Sequence, residues 1–377
     1  MPSKQDFPVH RLVPKDETLA STLLKNNPEY DGRNVIVGIL DTGVDPGAIG
    51  LQTTPSGERK IIDIIDATGS GDVDMSKTIK VDITDDQTIT GLSGRKLTLN
   101  PKWTNPSGEY HIGIKSAYEL FPSPLLARVK KERKEKWDII HSQERKKVQQ
   151  KLKEWNDKYS KHKNLTSVEM GHYEDLKAQD KYLQDYTYND VGPMYDCISY
   201  FDGKEWRGAI DMEESGDFTN VASMADYSVE YEYGTLSERS QMNYVLKFYN
   251  EGNVMCIVCD GGAHGSHVAG ITAAYHPDKP DNNGVAPGAQ IVSIKIGDSR
   301  LGSMETGVGL TRALISILET KCDVINMSYG EFAGVHNAGK FIELAKEVVN
   351  EHGVIFVSSA GNEGPALSTV SFIYFEE

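Results

Sequence analysis

The chain has 377 residues, and its 38% hydrophobic composition is enough to bury the core of two to three domain-sized units. Acidic residues outnumber basic residues by 55 to 40, which gives a formal net charge of -15. This charge would repel nucleic-acid phosphates and anionic membrane surfaces at long range, so we expect neither a nucleic acid nor a membrane as a partner.

The cysteines and the opening residues bear on the cellular compartment. Cys197, Cys256, Cys259 and Cys322 lie in apolar or strand-like stretches and do not form the dense framework of a small secreted domain. The opening sequence MPSKQDFPVHRLVPKDE has no apolar signal-peptide core, and no later apolar run is long enough to span a membrane. These features predict a cytoplasmic protein with reduced thiols.

The first strong element is the apolar run VIVGIL at residues 35–40, which is typical of a strand buried on both faces of a parallel sheet. Asp41, Thr42 and Gly43 follow it directly. In open α/β sheets, functional groups lie at the carboxyl ends of strands, and this order places Asp41 there. We interpret residues 1–50 as the first part of an α/β domain.

The pattern changes over residues 51–255, which we interpret as an inserted region of mixed α and β structure. Apolar residues spaced three and four apart predict a helix over residues 124–163, and a second helix over residues 173–186 can pair with it as an antiparallel hairpin. The mixed charges of the first helix indicate a solvated face. YDCISYF with KEWRGAID, and NYVLKFY with VMCIVC, predict two β-hairpins.

Helix and strand patterns alternate again over residues 256–370, and residues 371–377 form an atypical tail. The predicted elements are a helix from His264, a strand over 290–296, a helix over 309–319, a strand over 324–328, a helix over 339–350 and a strand over 354–358. This alternation predicts right-handed βαβ units. The fold class is therefore α/β, a parallel sheet with helices on both faces that is interrupted by the large mixed insertion.

Three segments of this domain carry side chains with complementary chemistry. His264 opens the helix HGSHVAG and can act as a general base, because an imidazole titrates near neutral pH. Asp41 can hold the imidazole from its far nitrogen, and Asn362 in AGNEGP can donate a hydrogen bond to a developing oxyanion. Each residue alone is more typical of a turn or a helix end, so only the combination predicts a catalytic site.

Two other kinds of site match parts of these segments. An Asp-Thr-Gly turn also occurs in aspartic proteases, but that site needs a second such turn and an all-β pattern, and neither is visible. Cys256 and Cys259 precede His264 and His267 at a spacing near that of a zinc knuckle. Residues three apart in a strand point to opposite faces, so we prefer a strand here and predict no metal and no cofactor.

In the order Asp, His, Asn, these segments resemble the subtilase family of serine peptidases. The resemblance covers nearly the whole chain and is carried by DTGVDPGAIGLQ, IIDIIDATGSGDVD, GLSGR, WTNPSGEYHIGIK, GGAHGSHVAG, NGVAPGAQIVSIKIGD and VSSAGNEGP. The 223-residue separation of Asp41 from His264 is similar to that of the family's tripeptidyl-peptidase branch. It implies a cytosolic exopeptidase that removes tripeptides from oligopeptides with a free N-terminus, with catalytic Asp41 and His264 and the oxyanion donor Asn362.

The resemblance also implies the residues that bind substrate. Glu305 in SMETG and Glu331 in NMSYGE match glutamates that bind the substrate's free amine, and two carboxylates suit an ammonium group whose position would set the product length. Ser328, Tyr329 and Gly330 match a stretch that pairs with the substrate backbone as an added strand.

The sequence departs from the family at the nucleophile. The family's serine lies in a Gly-Thr-Ser-Met-Ala type segment, which this sequence lacks, and Ser93, Ser266 and Ser371 lie in the wrong contexts. We therefore expect a truncated, inactive chain that folds poorly alone and does not form the family's large homo-oligomers. The alternative is a non-catalytic protein that holds peptides in the preserved cleft.

Overall fold

The computed structural model describes residues 15–81, 87–161, 164–237, 240–298, 305–330, 339–362 and 364–365. Glu331 and the tail at residues 371–377 lie outside the described residues. No helix within the described ranges is long and apolar enough to cross a membrane.

Helices and strands both occur along the described part of the chain. The helices are α1 (Ala20–Asn26), α2 (Ser123–Tyr159), α3 (Ser167–Asp185), α4 (Tyr227–Glu230), α5 (His264–Ala273), α6 (Gly307–Glu319) and α7 (Lys340–Asn350). The strands are β1 (Ile36–Asp41), β2 (Ile61–Asp66), β3 (Asp72–Asp74), β4 (Lys77–Lys80), β5 (Thr88–Thr90), β6 (Lys96–Thr98), β7 (Glu109–Ser116), β8 (Met194–Phe201), β9 (Trp206–Ile210), β10 (Met224–Ala225), β11 (Gly234–Thr235), β12 (Asn243–Tyr249), β13 (Val254–Val258), β14 (Gln290–Lys295), β15 (Val324–Met327) and β16 (Ile355–Ser358).

A parallel sheet with the strand order β16-β15-β1-β14-β2 forms the centre of the α/β domain. Helix α5 packs on one face, where Ile39 of β1 is fully buried, and α6 and α7 pack on the other, where Leu40 is fully buried. Burial on both faces explains the continuous apolar run of β1. The predicted α/β fold, with helices on both faces of a parallel sheet, is confirmed.

The inserted region forms smaller antiparallel sheets. Their strand orders are β10-β9-β8-β7-β4, β11-β12-β13-β3 and β5-β6. The two predicted β-hairpins are present as the antiparallel pairs β8 with β9 and β12 with β13. Strand β2 lies within the range predicted for the insertion but pairs with β14 in the parallel sheet, so the chain adds a second strand to that sheet before the antiparallel sheets begin.

Residues Ser123–Pro193 form a compact unit of their own. Trp155 of α2 stacks on Tyr173 near the start of α3, with 4.4 Å between ring centroids, and Trp137 stacks on Tyr186 just beyond the end of α3. These two contacts require antiparallel helices, as the sequence predicts. Thr166 begins α3 with a capping box, in which its side chain accepts from the Glu169 amide.

A buried lysine joins the insertion to the parallel sheet. Lys247 of β12 donates to both carboxylate oxygens of Asp63 on β2, at 2.9 and 3.1 Å, and to Asp226 at 2.8 Å. Burial alone would lower the pKa of Lys247, but the two carboxylates outweigh it and hold the pKa above its ordinary value. Lys247 therefore balances the carboxylates of two separate segments, Asp63 on β2 and Asp226 directly before α4.

We expect Lys247→Met to lower the free energy of unfolding by about 3–5 kcal/mol, because it leaves Asp63 and Asp226 without their cation. The matched control is Lys340→Met, which removes an exposed pair with Glu343 at 3.5 Å and is expected to cost less than about 1 kcal/mol. Urea denaturation of both variants measures the difference. Equal losses of stability would contradict the role given to Lys247.

Candidate active site

Asp41 and His264 meet at the carboxyl end of β1. The Asp41 carboxylate is fully buried, and the Nδ1 atom of His264 lies 2.8 and 2.9 Å from its two oxygens. The His264 side chain is 55% exposed, so the rest of the ring faces the solvent-accessible cleft. An Nδ1–H donated to a carboxylate leaves Nε2 as the acceptor, which is the tautomer that a general base requires.

Thr42 connects the Asp41 turn to the His264 segment. Its hydroxyl donates to the Gly262 carbonyl at 2.9 Å and accepts from the Gly265 amide at 3.0 Å. Its carbonyl accepts from the Gly261 amide at 2.6 Å. Thr42 thus fixes both sides of the loop that leads into α5, a role that the Asp-Thr-Gly pattern alone does not predict.

A second buried lysine lies beside the Asp41 turn. Lys295 is in register with Asp41 on β1 and with Asp66 on β2. Its ammonium group is 3.2 Å from Asp66, 3.2 Å from Asp298 and 3.1 Å from the Cys259 carbonyl. Burial alone would raise the pKa of Asp66, but Lys295 and two hydroxyl donors outweigh it and hold the pKa below its ordinary value. The only signal for this network in the sequence is a lysine in an apolar strand.

Asp260 begins the loop that carries His264. Burial raises its pKa to about 6, and the nearby carboxylate of Asp45 adds to the shift. The Cα atom of Asp260 packs closely on Gly43, where a Cβ atom would be 3.1 Å away. Gly43 has a φ of 97°, so both the conformation and the close approach require glycine.

An open cleft of about 470 Å³ brings most of the predicted site residues together. It is lined by Thr42, Gly261, Gly262, Ala263, His264, Glu305, Ser328, Tyr329, Gly330, Ser359, Gly361 and Asn362. His264, Asn362 and Glu305 thus share one cavity with the predicted substrate-binding strand. Asn362 follows Gly361, whose φ of 79° turns the chain after β16. Glu331 lies outside the described residues.

The alternative metal site finds no ligand set among the described residues. No group of three or more His, Cys, Asp or Glu side chains in the described ranges is placed to hold a metal ion. Cys256 lies on β13 and is buried, as the predicted strand VMCIVC requires. Cys259 is also buried but follows the end of β13 at Val258, so the observed strand is one residue shorter than the predicted VMCIVC.

Comparison with known proteins decides the family. The sequence model of the subtilase family matches residues 32–373. The chain belongs to the subtilase family. It is 50% identical to tripeptidyl-peptidase 2 of Oryza sativa subsp. japonica and 46% identical to that of Arabidopsis thaliana, and each match covers 95% of this chain. A crystal structure of tripeptidyl peptidase 2 superposes with a TM-score of 0.66 at 32% identity, over 93% of this chain and 28% of that chain.

This subtilase chain spans 27% and 26% of the length of the two relatives. The matched region includes every segment of the cleft, from Asp41 to Asn362. The resemblance to subtilases that the sequence indicated is confirmed, and so is the likeness to the tripeptidyl-peptidase branch. The activity that the longer relatives' names describe belongs to those proteins and reaches this chain only as a proposal.

Two glycines of α5 provide a matched test of how closely this helix packs on the backbone of Gly43. A Cβ atom on Gly265 would lie 2.2 Å from the Gly43 carbonyl oxygen, whereas one on Gly270 meets nothing within 4 Å. We expect Gly265→Ala to destabilise the domain by about 1–3 kcal/mol, because the backbone at Gly43 must move to make room for the methyl group. Gly270→Ala is expected to stabilise it by about 0.5–1 kcal/mol. Thermal unfolding of both variants measures the difference, and a stable Gly265→Ala variant would contradict this packing.

Proposed function

We propose that this chain supplies the aspartate, histidine and oxyanion part of a serine peptidase that releases tripeptides from oligopeptides with a free N-terminus. The observation that carries the proposal is the contact of His264 with the buried Asp41 in a cleft that also holds Glu305. The similarity to two tripeptidyl-peptidase 2 proteins supports the specific activity. We place this activity in the cytoplasm, in keeping with the sequence.

The proposed chemistry assigns one step to each polar group. His264 Nε2 takes the proton of a serine hydroxyl as the oxygen attacks the scissile carbonyl, and Asp41 stabilises the resulting imidazolium through Nδ1–H. The Asn362 amide donates to the oxyanion that forms on the carbonyl. The imidazolium then protonates the amine as the scissile C–N bond breaks, which leaves the tripeptide as an ester on the serine. His264 next takes a proton from a water that attacks this ester and returns it to the serine oxygen, which releases the tripeptide. The 377 residues do not include the Gly-Thr-Ser-Met-Ala type segment that carries the family's serine, so this scheme requires a serine from a further segment.

The proposed product length depends on the distance between the free amine and the nucleophile. Glu305 lies in the cleft with His264, and residues 328–330, which follow the end of β15, line the same cleft. If a substrate adds to this edge as a strand, an ammonium group bound by Glu305 and Glu331 is held about three residues from the scissile bond. Longer N-terminal extensions would place the amine beyond these carboxylates.

The decisive experiment compares the 377-residue chain with a form extended through a Gly-Thr-Ser-Met-Ala type segment. Both are assayed for tripeptide release from an Ala-Ala-Phe reporter with a free N-terminus. We expect release by the extended form, and an acetylated reporter should be hydrolysed at least about tenfold more slowly, because it has no ammonium group for the glutamates to bind. Equal hydrolysis of the two reporters would contradict the tripeptidyl assignment and leave an ordinary endopeptidase.

A non-catalytic peptide-binding protein is the second candidate function. It rests on the cleft, because holding a peptide there requires no nucleophile. It predicts that neither form hydrolyses the reporter and that both bind the free-amine peptide and not its acetylated version. Calorimetric titration with the two peptides therefore separates a binding protein from a peptidase.

We expect Glu305→Gln in the extended form to raise the KM for the free-amine reporter by about tenfold or more, because the charge-assisted contact with the ammonium is lost. Glu331→Gln should act in the same direction. The matched control is Glu319→Gln at the exposed end of α6, outside the cleft, which is expected to leave the KM unchanged. An unchanged KM in the Glu305 variant would refute its role.

A further inference from the structure

The Tyr329 ring forms a wall beside the catalytic histidine. The Tyr329 and His264 rings are arranged edge to face, with 6.4 Å between centroids and planes at 82°. Aromatic rings at this separation are in or near contact, so no space for a further side chain remains between them. A group that occupies the cleft near His264 must therefore rest against both rings.

Gly297 fixes where the Tyr329 ring can stand. A Cβ atom on Gly297 would lie 2.5 and 2.6 Å from two ring carbons of Tyr329 and 2.7 Å from its hydroxyl oxygen, so the Tyr329 side chain occupies the space that a side chain at position 297 would take. Gly297 also forms a bridge with Glu305, and its amide approaches the Asp41 carbonyl at 3.4 Å. The Tyr329 ring is thus packed on a backbone segment that is linked to Glu305 on one side and to Asp41 on the other.

The position of Tyr329 within residues 328–330 decides which part of a substrate it meets. In an antiparallel pair, directly opposite residues share one face, with Cβ atoms about 4.5–5.5 Å apart. A tripeptide segment added to these three residues, with its amine held at the Gly330 end, places its second residue opposite Tyr329. The face that these two residues share is the one on which the His264 ring stands.

We propose that the Tyr329 side chain determines specificity by limiting the size of the second substrate residue. This inference rests on the proposed function, because it requires the substrate to add as a strand along residues 328–330. Glycine and alanine fit against the two rings, whereas leucine or a larger residue must displace the Tyr329 ring, and Gly297 lies directly behind that ring. The predicted substrates are therefore N-terminal tripeptides with a small middle residue.

The test measures binding of two tripeptide amides, Ala-Ala-Phe and Ala-Leu-Phe, to the 377-residue chain by calorimetric titration. We expect Ala-Ala-Phe to bind at least about tenfold more tightly, a discrimination of the size that one pocket wall provides. Tyr329→Ala should bring the ratio of the two dissociation constants close to one by improving the binding of Ala-Leu-Phe. Tyr329→Phe should keep the ratio, because the ring remains.

A second variant separates a specificity role from simple packing. Gly297→Ala places a Cβ atom behind the Tyr329 ring and must push the ring toward the substrate, so it should increase the ratio of dissociation constants. In the double variant with Tyr329→Ala the ratio should fall close to one, because Gly297→Ala acts only through the ring. An unchanged ratio in Tyr329→Ala, or equal binding of both peptides to the unmodified chain, would overturn the specificity role alone. Failure of both amides to bind would contradict the peptide site and the inference together.

Discussion

Lys295 stands fully buried at the carboxyl end of β14, in register with Asp41 on one side and Asp66 on the other. Residues in register on parallel strands project from the same face, so the three side chains form a row of alternating charge at one edge of the sheet. Asp66 and Asp298 are also buried, so each depends on the lysine for its charge balance. The same ammonium group binds the Cys259 carbonyl, where the chain enters the His264 loop.

This network explains how the contact between Asp41 and His264 is maintained across a separation of 223 residues. The entropic cost of closing a loop rises only slowly with its length, so a long insertion is tolerated if its ends are held firmly. In this fold the ends are held by buried polar contacts at the Lys295 network and at Thr42, while Lys247 attaches the body of the insertion to β2. The geometry of the Asp41–His264 contact therefore depends on these anchor points and not on the length of chain between them.

Much of the fold followed from local sequence patterns. The apolar run of β1, the alternating strands of the hairpins and the helical spacing of α2 are each set by residues near in sequence, and each element was predicted close to its observed bounds. The Lys295 network and the packing of Tyr329 on Gly297 were not predicted. They join residues from separate segments, and a lysine in an apolar strand gives no indication of which carboxylates it will meet. The pairing of β2 with β14 was missed for the same reason.

The cleft combines two kinds of polar environment with different consequences. Asp41 is fully buried and held by fixed donors, whereas the His264 side chain remains 55% exposed on the side of the cleft. Glu305 and Tyr329 line the same cleft, beyond the buried network. Because the charges behind His264 are buried and fixed, they act through the histidine and do not line the open side of the cleft. In the proposed function, discrimination between peptides therefore depends on the groups that line the open side, and these can vary without disturbing the buried row of charges.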